Sequence, residues 1–328
     1  MTIQHSAATN SLNRRRFLDH SRHAGVALAA GGLVDFPVSS ARADVKPVPK
    51  RTPQIAVFTK SFQDRPIPAL CRTFAEMGVD GLDLTVRPGG HIEPKDVAVE
   101  LPLAAKAARK AGIEIIQLTT SITADDRHAR RILATAADLD IRRIKLGYYH
   151  YQTFGTLAKQ VDVVRKSIGQ VIRLASRYRV LPCIHIHSGP TIPSGGTMAY
   201  ELIRDFAPSE VGAYVDPLHM TLEGGRDGWR QGLDLLAPWI SLCSVKNFAW
   251  ERTTRDRKGQ MRWRTFTVPP ADGVCPLPDF VSALKKLHYA GPYSLHSEYK
   301  SSHSFKRLDT DGCLRQTAID LKYFRSLL

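Results

Sequence analysis

The run Val211-Gly212-Ala213-Tyr214-Val215-Asp216-Pro217-Leu218-His219 sets an acid and a histidine three residues apart where a buried strand stops. Its first half is small and apolar. Asp216 arrives where the apolar run ends, Pro217 breaks the strand, and His219 follows on the turn. An Asp at the carboxyl end of a buried strand is a poor core pattern and a good site pattern, because parallel barrels and sheets keep their chemistry at that end. The competing reading is an Asp that caps the next turn beside a surface His. Other polar residues fall at comparable places: Asp83 with Arg87 and His91, Thr119 and Thr120, Tyr148, His185 and His187, Lys246 and Asn247, and His296 and Glu298. His185 and His187 are two apart on a strand and point to the same side. His, Asp and Glu from different strands, here His185, Asp216 and Glu298, are suitable ligands for Mn²⁺, Mg²⁺, Co²⁺ or Zn²⁺. A metal bound to a sugar carbonyl and hydroxyl acidifies the adjacent C–H, and a carboxylate can then move the proton.

These residues need a scaffold that brings strand ends together. Strand-like runs begin at Ile55, Gly81, Glu114, Arg143, Leu181, Val211, Ile240 and Gly291, and each is followed by a helical pattern. Eight strand–helix units in this length predict a (β/α)8 barrel over residues 54–328, with the polar strand ends forming one concave pocket. A doubly wound sheet is the runner-up. No Gly-rich dinucleotide or phosphate fingerprint follows the first strand, which favours the barrel. Residues Trp250 to Gly273 form a long polar insertion after the seventh strand, with aromatics alternating with charges, and read as a hairpin or lid.

The 328 residues carry a formal charge of +15. Residues 1–43 hold five Arg and two Asp, so +3 sits there and +12 remains on the rest. Such a charge favours anionic partners. The basic residues are spread over many helices rather than gathered in one tract, so no nucleic-acid partner is expected. Asn13-Arg14-Arg15-Arg16-Phe17-Leu18, an apolar run from Ala24 to Val34 and Ala41-Arg42-Ala43 resemble, in that order, a twin-arginine export signal with its cleavage site. The apolar run is too short for a permanent membrane anchor. The expectation is a periplasmic protein, with a signal over 1–43 and a linker over 44–53. The five Cys show no C-x-x-C spacing, so neither a zinc ribbon nor a redox pair is supported.

From Ile55 onward the chain resembles the xylose isomerase-like TIM barrels, the sugar phosphate isomerase/epimerase superfamily. The resemblance rests on Asp80-Gly81-Leu82-Asp83-Leu84-Thr85-Val86-Arg87-Pro88-Gly89-Gly90-His91, His187-Ser188-Gly189, Val215-Asp216-Pro217-Leu218-His219 and Glu223-Gly224-Gly225. It continues through Val245-Lys246-Asn247-Phe248-Ala249-Trp250, Gly291-Pro292 and His296-Ser297-Glu298-Tyr299. It implies a sugar-active enzyme in which Glu, Asp, His and Glu from the last four strands hold a metal and the two Glu pass the proton. Asp216 matches the Asp, His219 the substrate-side His and Glu298 the final Glu. Two positions depart: the fifth-strand Glu falls on His185, and the seventh-strand His falls on Ser244, with Lys246 two residues on. The expected catalytic residues are therefore Glu298, His185 and Lys246, and the expected metal ligands His185, Asp216 and Glu298. Lys246 polarises a carbonyl or holds an anionic group; the plainer alternative is a rim lysine. Substrate contacts are expected from His187, His219, Arg87, His91, Asp83 and Trp250, with a buried Asp83–Arg87 brace as the alternative for that pair. The leading function is a carbohydrate isomerase, epimerase or lyase working next to a carbonyl. A non-catalytic sugar-binding barrel and, more remotely, an endonuclease IV-like repair enzyme are the alternatives.

Overall fold

In the computed structural model, residues 53–328 are described; the expected signal over 1–43, and all but the last residue of the expected linker over 44–53, lie outside them. Eight parallel strands close a barrel in chain order: β1 (Ile55–Phe58), β2 (Gly81–Val86), β3 (Glu114–Thr120), β4 (Arg143–Lys145), β5 (Leu181–His185), β6 (Gly212–Val215), β7 (Ile240–Val245) and β8 (Tyr293–Leu295). Ile55 lies opposite Tyr293, so the last strand meets the first. The helices are α1 (Ile67–Glu76), α2 (Val97–Lys110), α3 (Arg127–Asp138), α4 (Leu157–Ser176), α5 (Gly196–Ile203), α6 (Pro217–Gly224), α7 (Gly228–Leu236), α8 (Leu277–Lys286) and α9 (Thr310–Arg325).

The strand period divides the residues between two environments. On β2, Leu82 and Leu84 join the apolar layer under the helices, while Asp83 and Thr85 alternate with them. Asp83 bonds partners on β3, β6 and β8 and so sits inside the barrel. A barrel interior is normally filled by bulky branched side chains. Here it carries Asp83, Gln117, Thr119, Tyr214, Ser244 and Ser294, all buried. Such groups are costly to bury unless hydrogen-bonded. Most of them bond Asp83, while Ser244 Oγ and Gln117 Oε1 have no partner among the described residues.

All five Cys are free and buried, as small apolar side chains. Among the described residues no helix is long and apolar enough to cross a membrane. The insertion after β7 is an antiparallel hairpin, Asn247–Arg255 paired with Met261–Val268. It is tied to the loop after β8 by Thr267 N–H to His303 O (2.7 Å) and Phe305 N–H to Thr267 O (2.8 Å). One element was not expected: His219 sits on helix α6 rather than on a turn, with Pro217 in its first turn, where a missing N–H costs nothing.

Candidate active site

Asp216 follows β6 and caps α6, as one of its two readings expected, but the His219 beside it is buried rather than on the surface. Its Oδ1 accepts the backbone N–H of His219 at 3.2 Å. Its Oδ2 faces the barrel mouth, 3.0 Å from His185 Nε2 and 3.1 Å from the Lys246 Nζ. The imidazole therefore carries its hydrogen on Nε2, and Nδ1 accepts from the Tyr148 hydroxyl at 3.0 Å. Tyr148, His185 and Asp216 form a hydrogen-bonded chain of hydroxyl, neutral imidazole and carboxylate. Burial pushes the His185 imidazole down to about 3, despite the bond to Asp216. Gly147 makes the presentation of Tyr148 possible: a Cβ there would lie 2.5 Å from the Ser121 carbonyl oxygen.

Lys246, the residue after β7, is the centre of the charge arrangement. Its Nζ lies 3.1 Å from Asp216, 3.7 Å from Glu298 Oε2 and 2.8 Å from His219 Nε2. The ammonium donates to His219 Nε2, so His219 Nδ1–H donates to Ser188 Oγ at 2.8 Å. Burial disfavours the Lys246 charge, but Asp216 and Glu298 outweigh it and raise its basicity. Burial likewise pushes the Asp216 and Glu298 carboxyls up, and Lys246 reverses both, holding them well below the usual carboxylate range. Lys246 is thus a charged, nearly buried cation between two carboxylates, not a rim lysine.

Glu298 follows β8 and is 22% exposed. Its Oε1 is bound by Lys60 Nζ at 2.6 Å, and Oε2 lies 3.6 Å from His296 Nδ1. Two cavities meet here and share Lys60, His187, Lys246 and Glu298. The outer one, about 420 Å³, runs out between His219 and the hairpin residues Phe248 and Thr265. The inner one, about 100 Å³, reaches Arg87, Lys145, Tyr148 and His185. The outer volume falls in the range of small-molecule sites. His187 and His219 stack against its wall with ring centroids 3.9 Å apart.

Three expected substrate contacts lie elsewhere. Asp83 is fully buried beneath the cavities and accepts from Gln117 (2.8 Å), Thr119 (2.6 Å), Ser294 (2.7 Å) and Tyr214 (3.2 Å). It makes no ion pair with Arg87; it knots four strands together. His91 is held by Thr85 and by the Phe62 carbonyl at 3.1 Å, and so braces the turn after β2. Trp250 is 50% exposed, farther along the hairpin than the Phe248 that lines the cavity. Arg87, His187 and His219 do line the cavities. Replacing Asp83 by Ala strands three buried donors, Gln117, Thr119 and Ser294, while Tyr214 keeps His296, and is expected to cost roughly 3–5 kcal/mol of unfolding free energy. Urea unfolding checks this; a loss under about 1 kcal/mol would contradict the brace.

Several site residues were not singled out from the sequence. Lys145 and Lys60 sit in ordinary basic-residue contexts. Tyr148 appeared as one polar strand end among many; only the fold shows that it meets His185.

A family model described as xylose isomerase-like TIM barrel matches residues 71–319. The chain belongs to the xylose isomerase-like TIM barrel family. No curated protein matches its sequence. Among solved structures, D-psicose 3-epimerase from Clostridium cellulolyticum H10, with D-tagatose, superposes with a TM-score of 0.59 at 12% identity, over 84% of this chain and 99% of its own. The 3-keto-D-glucoside 4-epimerase of E. coli gives 0.60 at 14%, over 84% and 100%. A xylose isomerase-like protein from Mycobacterium smegmatis, in complex with magnesium, gives 0.58 at 15%, over 84% and 98%. At these identities the likeness is one of fold.

The metal implied by this barrel family requires several His and acidic side chains to converge. Among the described residues, no group of three or more His, Cys, Asp or Glu side chains is so arranged. The ammonium of Lys246 stands between Asp216 and Glu298 instead. His185 spends its Nε2 hydrogen on Asp216 and reaches Glu298 only through that lysine. A divalent ion placed there would face a fixed positive charge at close range. The expected trio of His185, Asp216 and Glu298 therefore does not fit as a metal site in this arrangement.

Proposed function

We propose that this xylose isomerase-like barrel is a sugar isomerase or epimerase type of enzyme that moves a proton on the carbon next to a sugar carbonyl, with the Lys246 ammonium as its electrophile. The observation that carries the reading is that ammonium, fixed between two carboxylates on the wall of a sugar-sized cavity. Removing a proton beside a carbonyl builds negative charge on the carbonyl oxygen. A preorganised cation in a site largely shielded from water stabilises such charge without reorganising.

One group is placed to take the proton. Glu298 is a carboxylate at the cavity wall. Bound by Lys60 and beside Lys246 it is a weak base, since the best catalytic pKa lies near the working pH. Lys60 is half-exposed, and a substrate oxygen that draws it away frees Oε1. The Tyr148 hydroxyl, with His185 and Asp216 behind it, is not a second base: burial pushes the hydroxyl pKa up and the imidazole pKa down, so the chain holds Tyr148 protonated and positions it at the cavity. His185 acts through Tyr148, because its Nδ1 lone pair is already occupied. Reprotonation of the enolate gives isomerisation or epimerisation; expulsion of a neighbouring substituent gives elimination, the lyase outcome.

Deuterium exchange from D₂O into a panel of keto-sugars and keto-glycosides tests this without knowing the natural substrate. Exchange into at least one member is expected. Binding of a panel member with no exchange into any would favour the non-catalytic barrel. The sequence pattern over 1–43 further supports export to the periplasm by the twin-arginine route. Replacing Arg14 and Arg15 by Lys should then retain the protein in the cytoplasm; undiminished export would sink that proposal.

A further inference from the structure

Two cations line the inner cavity with no counter-charge. Lys145, the last residue of β4, is 2% exposed, and its Nζ lies 3.4 Å from the centroid of the Tyr148 ring. Arg87, just after β2, has its guanidinium carbon 6.0 Å from the centroid of the Phe58 ring, and its buried Nε has no hydrogen-bond partner. Among the described residues neither side chain makes an ion pair. Of the residues lining this cavity only Glu298 is acidic. Lys60 and Lys246 already flank its carboxylate. Asp83 and Asp216 lie behind the wall, committed to their own partners.

Burying a cation without an opposite charge is costly. Lys145 is buried and Arg87 is half-buried with its Nε out of solvent, and both face the same cavity. We propose that Arg87 and Lys145 form a carboxylate-binding subsite, so that the substrate is a carbohydrate acid rather than a neutral sugar. The proposal rests on the reading of the site as a sugar pocket and names the substrate class within it. Size and chemistry agree with it. The inner cavity, about 100 Å³, has room for a carboxylate, and it meets the larger outer cavity of about 420 Å³, where the ring fits. A guanidinium fork matches a planar carboxylate, and an ammonium supplies a second charge. Burial, with Arg87 beside it, pushes the Lys145 ammonium well below its usual range while no anion is bound.

Calorimetric binding to the wild-type protein tests the subsite without any turnover. The probes are 5-keto-D-gluconate, D-fructose and D-fructose 6-phosphate. The keto acid is expected to bind about 10–100-fold more tightly than the neutral sugar, the scale of one or two charge-assisted hydrogen bonds. Arg87→Gln and Lys145→Met should each remove most of that advantage. Arg87→Lys, which keeps the charge but loses the fork, should retain part of it. Lys145→Met loses an unpaired buried cation and is expected to melt at or above the wild-type temperature, so a lost preference is not unfolding. Equal binding of acid and neutral sugar, a preference that survives in the Arg87→Gln/Lys145→Met double variant, or tighter binding of the phosphate would each overturn the proposal. A keto acid that binds tightly but exchanges no deuterium would leave the subsite standing and count against proton transfer. Exchange into neutral sugars alone would do the reverse.

Discussion

Glu298→Gln is expected to lower deuterium exchange into a keto-sugar by about 10²–10⁴-fold, the contribution of a positioned general base. The amide keeps the shape of the side chain and can still accept from Lys60, but it cannot take a proton. Sugar binding should change far less, so the loss should appear in turnover rather than in affinity. His185→Gln is the parallel experiment. It cuts the chain from Asp216 to Tyr148 and takes away the acceptor of the Tyr148 hydroxyl. Exchange that survives Glu298→Gln but vanishes in both His185→Gln and Tyr148→Phe would transfer the proton to the tyrosine side. Equal rates in Glu298→Gln and wild type would remove Glu298 from the chemistry.

Lys246→Met is expected to be as severe for a different reason. It removes the electrophile, an effect of about 10²–10³-fold in rate if it resembles the loss of one oxyanion donor. It also leaves Asp216 and Glu298 without the charge that stabilises them. Breaking a buried pair costs roughly 3–5 kcal/mol when the other partner stays charged. Lys246→Arg separates the two effects: it restores a cation and much of the stability, while the planar fork cannot reproduce the 2.8 Å contact to His219. A Lys246→Met protein that exchanges at the wild-type rate would show that the ammonium is structural only.

The barrel was legible because its signals are local. Apolar runs such as Ile240 to Val245 mark strands, and polar residues at their carboxyl ends mark the mouth. Asp216, His219, His185, His187, Arg87, Lys246 and Glu298 all lie at that mouth. Their pairings were not legible, since pairing depends on closure of the barrel. Asp83 carries the same sequence signature as Asp216, yet one turns into a polar knot in the barrel interior and the other meets His185 and Lys246 just behind the cavity wall. His91 and Trp250 sit in the right segments, but one bonds back to its own turn and the other rides outward on the hairpin. The metal expectation failed to assemble for a related reason. Counting acids and histidines shows which ligands a strand set offers, but not that the ammonium two residues beyond Ser244 reaches the point between two carboxylates. Lys145 was hidden by burial: a lysine inside Arg143-Ile144-Lys145-Leu146 reads as an exposed strand position, and only the closed barrel places its Nζ against the Tyr148 ring.

The measurement that bears most directly on this account is deuterium exchange by wild-type protein stripped of metal with a chelator, its metal content checked by elemental analysis. With Lys246 as the electrophile, the stripped protein should exchange as fast as the untreated one, and added Mn²⁺ or Mg²⁺ should bring no gain. Exchange that disappears on stripping and returns with one of these ions would contradict the account, and would give the electrophile's role to a metal.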